Sequence, residues 1–281
     1  MPIQRTVTCL SIVGALLVSG AASAQQSFHN ISAAQPSPGV TMVRQTYQFI
    51  RLEDDPTDLD RVVNDFQVDT TIAHGLTHDL SLILNIPLIH RRAEERVSDT
   101  ESTDFHFGDL HLMAKWRVWK HDTGPIDTMR FSILAGLDIP TGKHPFGNES
   151  WDPMIGVVFT SIQGRHGVNA ALRWKFNTGE RESFVRAGDS KDDILYADFA
   201  YLYRIDPPQY TADTKGAWYL MAELNGTYET NGDHEWMIGP GIMYEARNWV
   251  FEASIQLPVL DDVDHRPPMA YTLGVGFRIL F

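Results

Sequence analysis

The sequence predicts an all-β protein, a transmembrane antiparallel up-and-down β-barrel of about twelve strands. Three observations predict it. Residues 271–281 alternate strictly, with Tyr271, Leu273, Val275, Phe277, Ile279 and Phe281 on one face and Thr272, Gly274, Gly276 and Arg278 on the other. A strand that is apolar outside, small or polar inside and ends on an aromatic has the pattern of a closing barrel strand. The chain also opens on an export signal, in which Arg5 precedes the apolar run 10–18 and the small-x-small site Ala22-Ser23-Ala24. Finally, the connections between apolar segments alternate short and long, with the short link at 231–235 as the exception, which is the pattern of an up-and-down barrel with both termini on one side.

Residues 1–24 are therefore expected to be a cleaved signal peptide, residues 25–38 a short periplasmic N-terminal segment, and residues 39–281 the barrel. The one cysteine, Cys9, leaves with the signal, so the mature chain makes no disulfide in the oxidising compartment it enters. No mature stretch approaches the roughly 20 apolar residues of a membrane helix. The formal charge of −13 becomes −14 without Arg5, which excludes nucleic acid as a natural partner.

The strands follow in order. Segments 40–51 and 62–74 come first, and in the second Val62, Phe66, Val68 and Ile72 oppose Asp65, Gln67 and Asp69. After a tight connection at Gly75-Leu76-Thr77-His78, segment 80–90 sets Leu80, Leu82, Leu84, Ile86 and Leu88 against Ser81, Asn85 and Pro87. Segment 109–119 sets Leu110, Leu112, Ala114, Trp116 and Val118 against His111, Lys115 and Arg117. The cleanest alternation is 129–140, with Phe131, Ile133, Ala135, Leu137 and Ile139 opposing Arg130, Ser132, Gly136 and Asp138. Segments 154–162, 168–177, 194–205, 218–230, 236–245 and 249–259 precede the closing strand, each bounded by Gly, Pro, Asn or Asp. Connections 52–61, 91–108, 141–152, 178–193 and 260–268 are the long ones, expected at the outer surface. Trp116, Trp218 and Trp249 are placed at the periplasmic rim, with Tyr228, Trp236 and Tyr271 at the outer rim, as interfacial girdles. Ten or fourteen strands are the alternatives.

Several short stretches resemble an outer-membrane family named for the meta-pathway of phenol degradation, distantly related to the fatty-acid transporter superfamily. They are Gly75-Leu76-Thr77 with Leu80-Ser81-Leu82 and Pro87-Leu88, Gly108-Asp109-Leu110, Ile139-Pro140-Thr141-Gly142, and Gln256-Leu257-Pro258-Val259. The resemblance spans most of the mature chain and implies a small-solute channel or uptake barrel.

Charges crowd the predicted inner faces: Asp65, Asp69, Asp109, His111, Lys115, Arg117, Arg130, Asp138, Arg173, Lys175, Asp198, Arg204, Glu223, Glu252 and Arg278. They belong inside, because a Lys or Arg facing mid-bilayer lipid costs about 2–4 kcal/mol. Two readings stay open. The charges form a constriction that selects a solute, or they pair and fill a narrow, sealed barrel whose acidic loops (Glu53, Asp54, Asp55, Asp58 and Asp60 in the first) make the relevant contacts. An outer-membrane lipid hydrolase is the enzymatic alternative, needing one of the inward serines Ser81, Ser132 or Ser254 beside His111. Thr141-Gly142-Lys143 lacks the Gly-rich lead and following helix of a phosphate loop. No cofactor and no metal site are expected. The partners expected are outer-membrane lipid and lipopolysaccharide, the solute, and the barrel-assembly machinery, which would read Tyr271, Phe277 and Phe281 as an assembly signal. The barrel is expected to be a monomer.

Overall fold

A computed structural model describes residues 26–124, 126–180 and 184–281. The predicted signal peptide lies outside the described residues. Thirteen strands run in chain order: β1 (Thr41–Leu52), β2 (Arg61–Gly75), β3 (Leu80–Glu95), β4 (Thr100–Phe107), β5 (Leu110–Asp122), β6 (Thr128–Ile139), β7 (Asp152–Gln163), β8 (His166–Lys175), β9 (Ile194–Asp206), β10 (Gly216–Glu229), β11 (His234–Ala246), β12 (Trp249–Asp262) and β13 (Met269–Leu280). Each pairs antiparallel with its sequence neighbours, except that β4 and β5 both pair with β3 and not with each other, and β1 pairs with β13, so the sheet closes on itself. Closure matters because an open edge inside a bilayer would strand backbone N–H and C=O groups.

Thirteen strands make twelve staves. Strands β4 and β5 are two halves of one descending stave, both antiparallel to β3, meeting where Leu88 faces Phe107 and Asn85 faces His111. The break falls at Gly108-Asp109, where the Gly108 N–H donates to the Pro87 carbonyl at 3.0 Å. This corrects the expectation of a loop over 91–108. There β3 continues to Glu95, turns, and returns as β4, whose residues are all exposed. Both faces of β4 meet water, so its residues need no apolar alternation, the signal by which the other strands are read.

Parity is as expected in the membrane band. Ile133, Ile155, Leu172, Leu220 and Val275 are exposed outward, whereas Leu134, Val158, Asn169, Glu223 and Arg278 are buried inward. At the periplasmic rim Trp218, Tyr244 and Trp249 form a run of rings with centroids 4.9 and 5.2 Å apart, amphipathic rings where one end is wet and the other greasy. Near the outer rim Trp236 lies flat over Gly226, where a Cβ would meet the indole at 2.6 Å.

The seam between the two terminal strands ends at Phe281. Its N–H donates to the Thr41 carbonyl at 2.9 Å and its carbonyl accepts from the Thr41 N–H at 3.2 Å, while its ring is 74% exposed. Deleting Phe281 removes the last rung of the seam and an interfacial aromatic. The expected result is a lower outer-membrane level at unchanged synthesis and export, read by fractionation and immunoblot; an unchanged level would show that neither feature aids insertion.

The long loops are built rather than loose. In the first, Glu53, Asp55 and Asp60 each face an arginine: Arg51 at 2.7 Å, Arg61 at 2.5 Å and Arg96 at 3.6 Å. In the last, the buried Arg266 lies between Glu229 at 2.9 Å and Glu235 at 2.8 Å. Beside it His265 bonds Asp233 at 2.8 Å, and that bond raises the imidazole above its ordinary 6.5. A raised folded value means the contact contributes fully below the unfolded value and fades as pH rises through the folded one. An NMR titration is expected to show His265 protonating at higher pH than a free histidine, and Asp233→Asn to bring it back down. No difference between the two proteins would rule out the contact.

The segment preceding β1 departs from expectation. Residues 26–37 do not extend into the periplasm; they lie within the barrel, with Phe28, Ala33, Ala34 and Ser32 buried. The inner face of β13 makes this possible. A Cβ on Gly274 would lie 2.5 Å from the Phe28 ring, and one on Gly276 3.2 Å from it. The two glycines are a socket, and Phe28 fills it.

Candidate functional site: the belt and the lumen cavity

The N-terminal segment follows the inner wall as a belt. From its β1 end, the Gln35 side chain donates to the His78 carbonyl at 2.7 Å beside the β2–β3 turn. Lys115 on β5 reaches up to the Ser32 carbonyl at 3.0 Å and also donates to the Ala34 carbonyl. The Ala33 N–H donates to Thr160 on β7 at 2.8 Å, and Thr160 in turn donates to Asn169 on β8 at 2.6 Å. His29 binds Glu223 on β10 twice, through its N–H at 2.8 Å and its Nδ1 at 3.1 Å. Arg44 on β1 donates to the Phe28 carbonyl at 2.6 Å, and Arg278 on β13 to the Gln26 carbonyl at 2.6 Å. A dozen residues thus touch staves around most of the circumference.

Two apolar clusters lock the belt in place. Phe28 packs with Leu202, Tyr219, Met221 and Met243 on β9–β11, and Ala33 with Leu134, Val158 and Ala171 on β6–β8. Apolar side chains pointing into a barrel have no lipid to meet, so they mark where protein fills the lumen. Buried backbone carbonyls of the belt find cations, and the cations find carboxylates: Glu252 takes Arg44 at 2.6 Å and Arg278 at 2.5 Å. While the belt is seated, protein groups rather than water partner these cations.

Above the belt lies a cavity of about 490 Å³. Its floor is the belt, its walls are β1–β3 and β5–β9, and Arg186, Ala187 and Asp189 of the loop between β8 and β9 reach over it. Arg186 crosses the lumen to bond Asp65 and Gln67 on β2, and Arg91 holds the same Asp65 at 2.8 Å. On the opposite wall Asp138 bonds His111 at 2.6 Å and Lys175 at 3.2 Å, and Arg173 bonds Asp198 at 2.8 Å.

Among the residues expected to line a pore, Asp69, His111, Lys115, Asp138, Arg173 and Lys175 meet at this cavity. Asp65 and Asp198 stand behind it as partners of Arg186 and Arg173. Glu223, Glu252 and Arg278 hold the belt. The others are elsewhere. Arg117 pairs with Asp79 at 2.7 Å at the periplasmic turn, Arg130 bonds Thr128 at 3.2 Å near the same end, and Arg204 bonds the Pro208 carbonyl and stacks on Tyr210. Asp109 accepts from the N–H groups of Gly142 at 2.8 Å and Asn148 at 2.9 Å, so it ties the outer loop at 141–148 to the β4–β5 break instead of lining the lumen. Thr141-Gly142-Lys143 belongs to that tie.

The serine arrangement of a hydrolase is not assembled among the described residues. The His111 Nδ1 is bonded to Asp138, as in a triad, but no serine hydroxyl among the described residues bonds the other ring nitrogen. Ser81 donates to Gln35 at 3.4 Å, Ser254 lies against the Pro240 carbonyl at 3.3 Å and Glu223 at 3.4 Å, and the Ser132 hydroxyl has no partner among the described residues.

Sequence reading missed Phe28, His29 and Asn30 on the belt, Arg44 on β1, and Arg186 and Tyr196 over the cavity. One signal was available: the inner face of β13 pairs two glycines with an arginine, leaving a hole that something must fill.

The comparison with known families agrees with this architecture. The family model described as "Putative MetA-pathway of phenol degradation" matches residues 42–270. The chain belongs to this family. No curated protein matches it. Among solved structures, a member of the same kind of barrel, an outer membrane channel from Pseudomonas putida F1, superposes with a TM-score of 0.62 at 13% identity, over 92% of this chain and 100% of that one. At that identity the likeness is one of fold. The β domain of a Bordetella autotransporter (TM-score 0.48, 10% identity, 87% of this chain and 100% of that one) and the translocator domain of the Neisseria meningitidis autotransporter NalP (0.45, 13%, 90% of each) are weaker matches. The matched region of the family model begins after the belt, so the belt is no part of that match.

Proposed function

We propose that this family member is a narrow outer-membrane channel through which a small organic solute, aromatic or otherwise hydrophobic ones included, passes down its own gradient. The observation that carries the reading is the cavity itself. It lies inside the barrel between the belt and the inward loop, it is lined by cations and carboxylates, and its size falls within the range of small-molecule sites. A barrel that served only as a scaffold would have no use for an interior hollow ringed with ionised groups that cost free energy to keep from bulk water. The signal peptide, monomeric insertion by the assembly machinery and contact with lipopolysaccharide belong to the same proposal.

Planar-bilayer recording tests it. Wild-type protein is expected to give small, steady conductance, because the belt leaves little of the lumen open. Neutralising Arg173 and Lys175 to glutamine is expected to move ion preference toward cations, whereas Arg117→Gln, away from the cavity, is expected to leave it where it was. Silence, together with no solute uptake by reconstituted vesicles, would overturn the channel and favour a sealed barrel acting through its loops.

A further inference from the structure

The cavity wall carries an apolar stripe where the inner face of a water-filled barrel calls for polar groups. Following the cross-strand pairs, Met42 faces Ala73, Ala73 faces Ile83, Ile83 faces Met113, Met113 faces Gly136, and Gly136 faces Met154. These are successive inward positions on β1, β2, β3, β5, β6 and β7, so they form one continuous row, and apart from Gly136 every one lines the cavity. Gly136 leaves a gap that the Met154 side chain leans into, its methyl 2.9 Å from where a Cβ would stand. Ile31 of the belt packs on the same side, near Met113.

The row one step nearer the outer rim is wholly polar: Arg44, Thr71, Asn85, His111 and Asp138. The stripe itself ends on a cation, because Met154 faces Lys175 on β8. Beside Lys175, on the same inward face of β8, stands Arg173, whose guanidinium lies 4.9 Å from the Tyr196 ring and whose Nε has no hydrogen-bond partner among the described residues. The cavity therefore has two ends of different chemistry, an apolar thioether wall and a pole that carries two cations, Lys175 paired with Asp138 and Arg173 paired with Asp198.

We propose that the cavity binds a small aromatic carboxylate, with its ring along the stripe from Met42 to Met154 and its carboxylate at Lys175 and Arg173. The apolar wall favours a hydrocarbon body, three thioethers favour a ring over an alkyl chain through sulfur–aromatic contacts, and the pole favours an oxyanion that can accept charge-assisted bonds. The proposal rests on the channel reading, which brings the solute to the cavity.

Isothermal titration of the full-length, detergent-purified barrel tests it without any flux measurement, using benzoate, benzyl alcohol and acetate as probes. Benzoate is expected to bind, with benzyl alcohol and acetate each weaker by about tenfold or more. Exchanging Arg173 and Lys175 together for glutamine is expected to weaken benzoate by about tenfold and leave benzyl alcohol unchanged. Met113→Gln with Met154→Gln, nearly equal in length but polar, is expected to weaken benzoate and leave acetate unchanged. Variants count only where unheated and boiled samples still migrate differently on a gel, and the wild-type probe series decides the matter if no variant folds. Equal binding of benzyl alcohol would overturn the carboxylate assignment, equal binding of acetate would overturn the stripe, and no heat with benzoate would overturn the site. A barrel that conducts but does not bind benzoate loses only this inference; one that binds benzoate but passes no solute loses the channel reading instead.

Discussion

Ile133→Arg is expected to lose most of its folded barrel, while Asn85→Arg is expected to assemble. Ile133 is at the middle of β6, points outward and is 42% exposed, so its surroundings in the membrane are lipid tails. An arginine held there costs about 2–4 kcal/mol, a large share of the 5–15 kcal/mol that holds a typical domain together. Asn85 lies on β3 with the opposite parity, lines the cavity and bonds Asp69 at 3.4 Å. An arginine in its place stays in the hollow and gains a carboxylate partner. Ser132, the inward neighbour of Ile133, is the poorer control because it is fully buried beneath the belt side of the lumen and has no space for a long chain. The measurement is the fraction of heat-modifiable barrel across a urea series in detergent or lipid. Equal losses at the two positions would mean that the register of the wall is inverted.

Removing residues 26–36 is expected to raise single-channel conductance several-fold without unfolding the barrel. The belt has no strand pairing beyond the bridge of Pro38 to Gly75, so the ladder hydrogen bonds of the wall survive its loss. Lys115, Arg44 and Arg278 lose their carbonyl partners, but water enters the vacated lumen and solvates them, so no buried charge is left bare. Phe28→Ala offers an intermediate. It empties the socket over Gly274 and Gly276 while the ionic contacts remain, and is expected to give a flickering current, since one anchor of the belt is weakened and the rest hold. A truncated barrel that stays folded with wild-type conductance would show that the belt is not the constriction.

The parts of this protein legible in its sequence are those in contact with a uniform medium. Lipid demands an apolar side chain at every second residue, and that demand repeats along β5, β6, β9, β10 and β13, so strands, parity and aromatic rims could be read directly. Where the medium changes, the signal goes. Strand β4 stands in water on both faces and carries no apolar periodicity. The inward charges were legible as a set, because they cannot face lipid, but their grouping was not. Arg173 and Lys175 meet Asp198 and Asp138 at the cavity, whereas Arg117 and Arg204, of the same inward parity, end near the periplasmic rim.

By itself, then, the sequence determined the barrel and the two faces of its wall, because each of those depends only on residues near one another in the chain or on a medium common to all staves. What lies inside the barrel was decided by tertiary structure alone. His29 and Glu223 are 194 residues apart, and Gln26 and Arg278 are 252 apart. Nothing local in Phe28 announces a partner in Gly274. Only the closing of the last strand against the first brings the empty face of β13 round to the segment that fills it, and with that contact the lumen becomes a belt, a cavity and a pair of unlike walls.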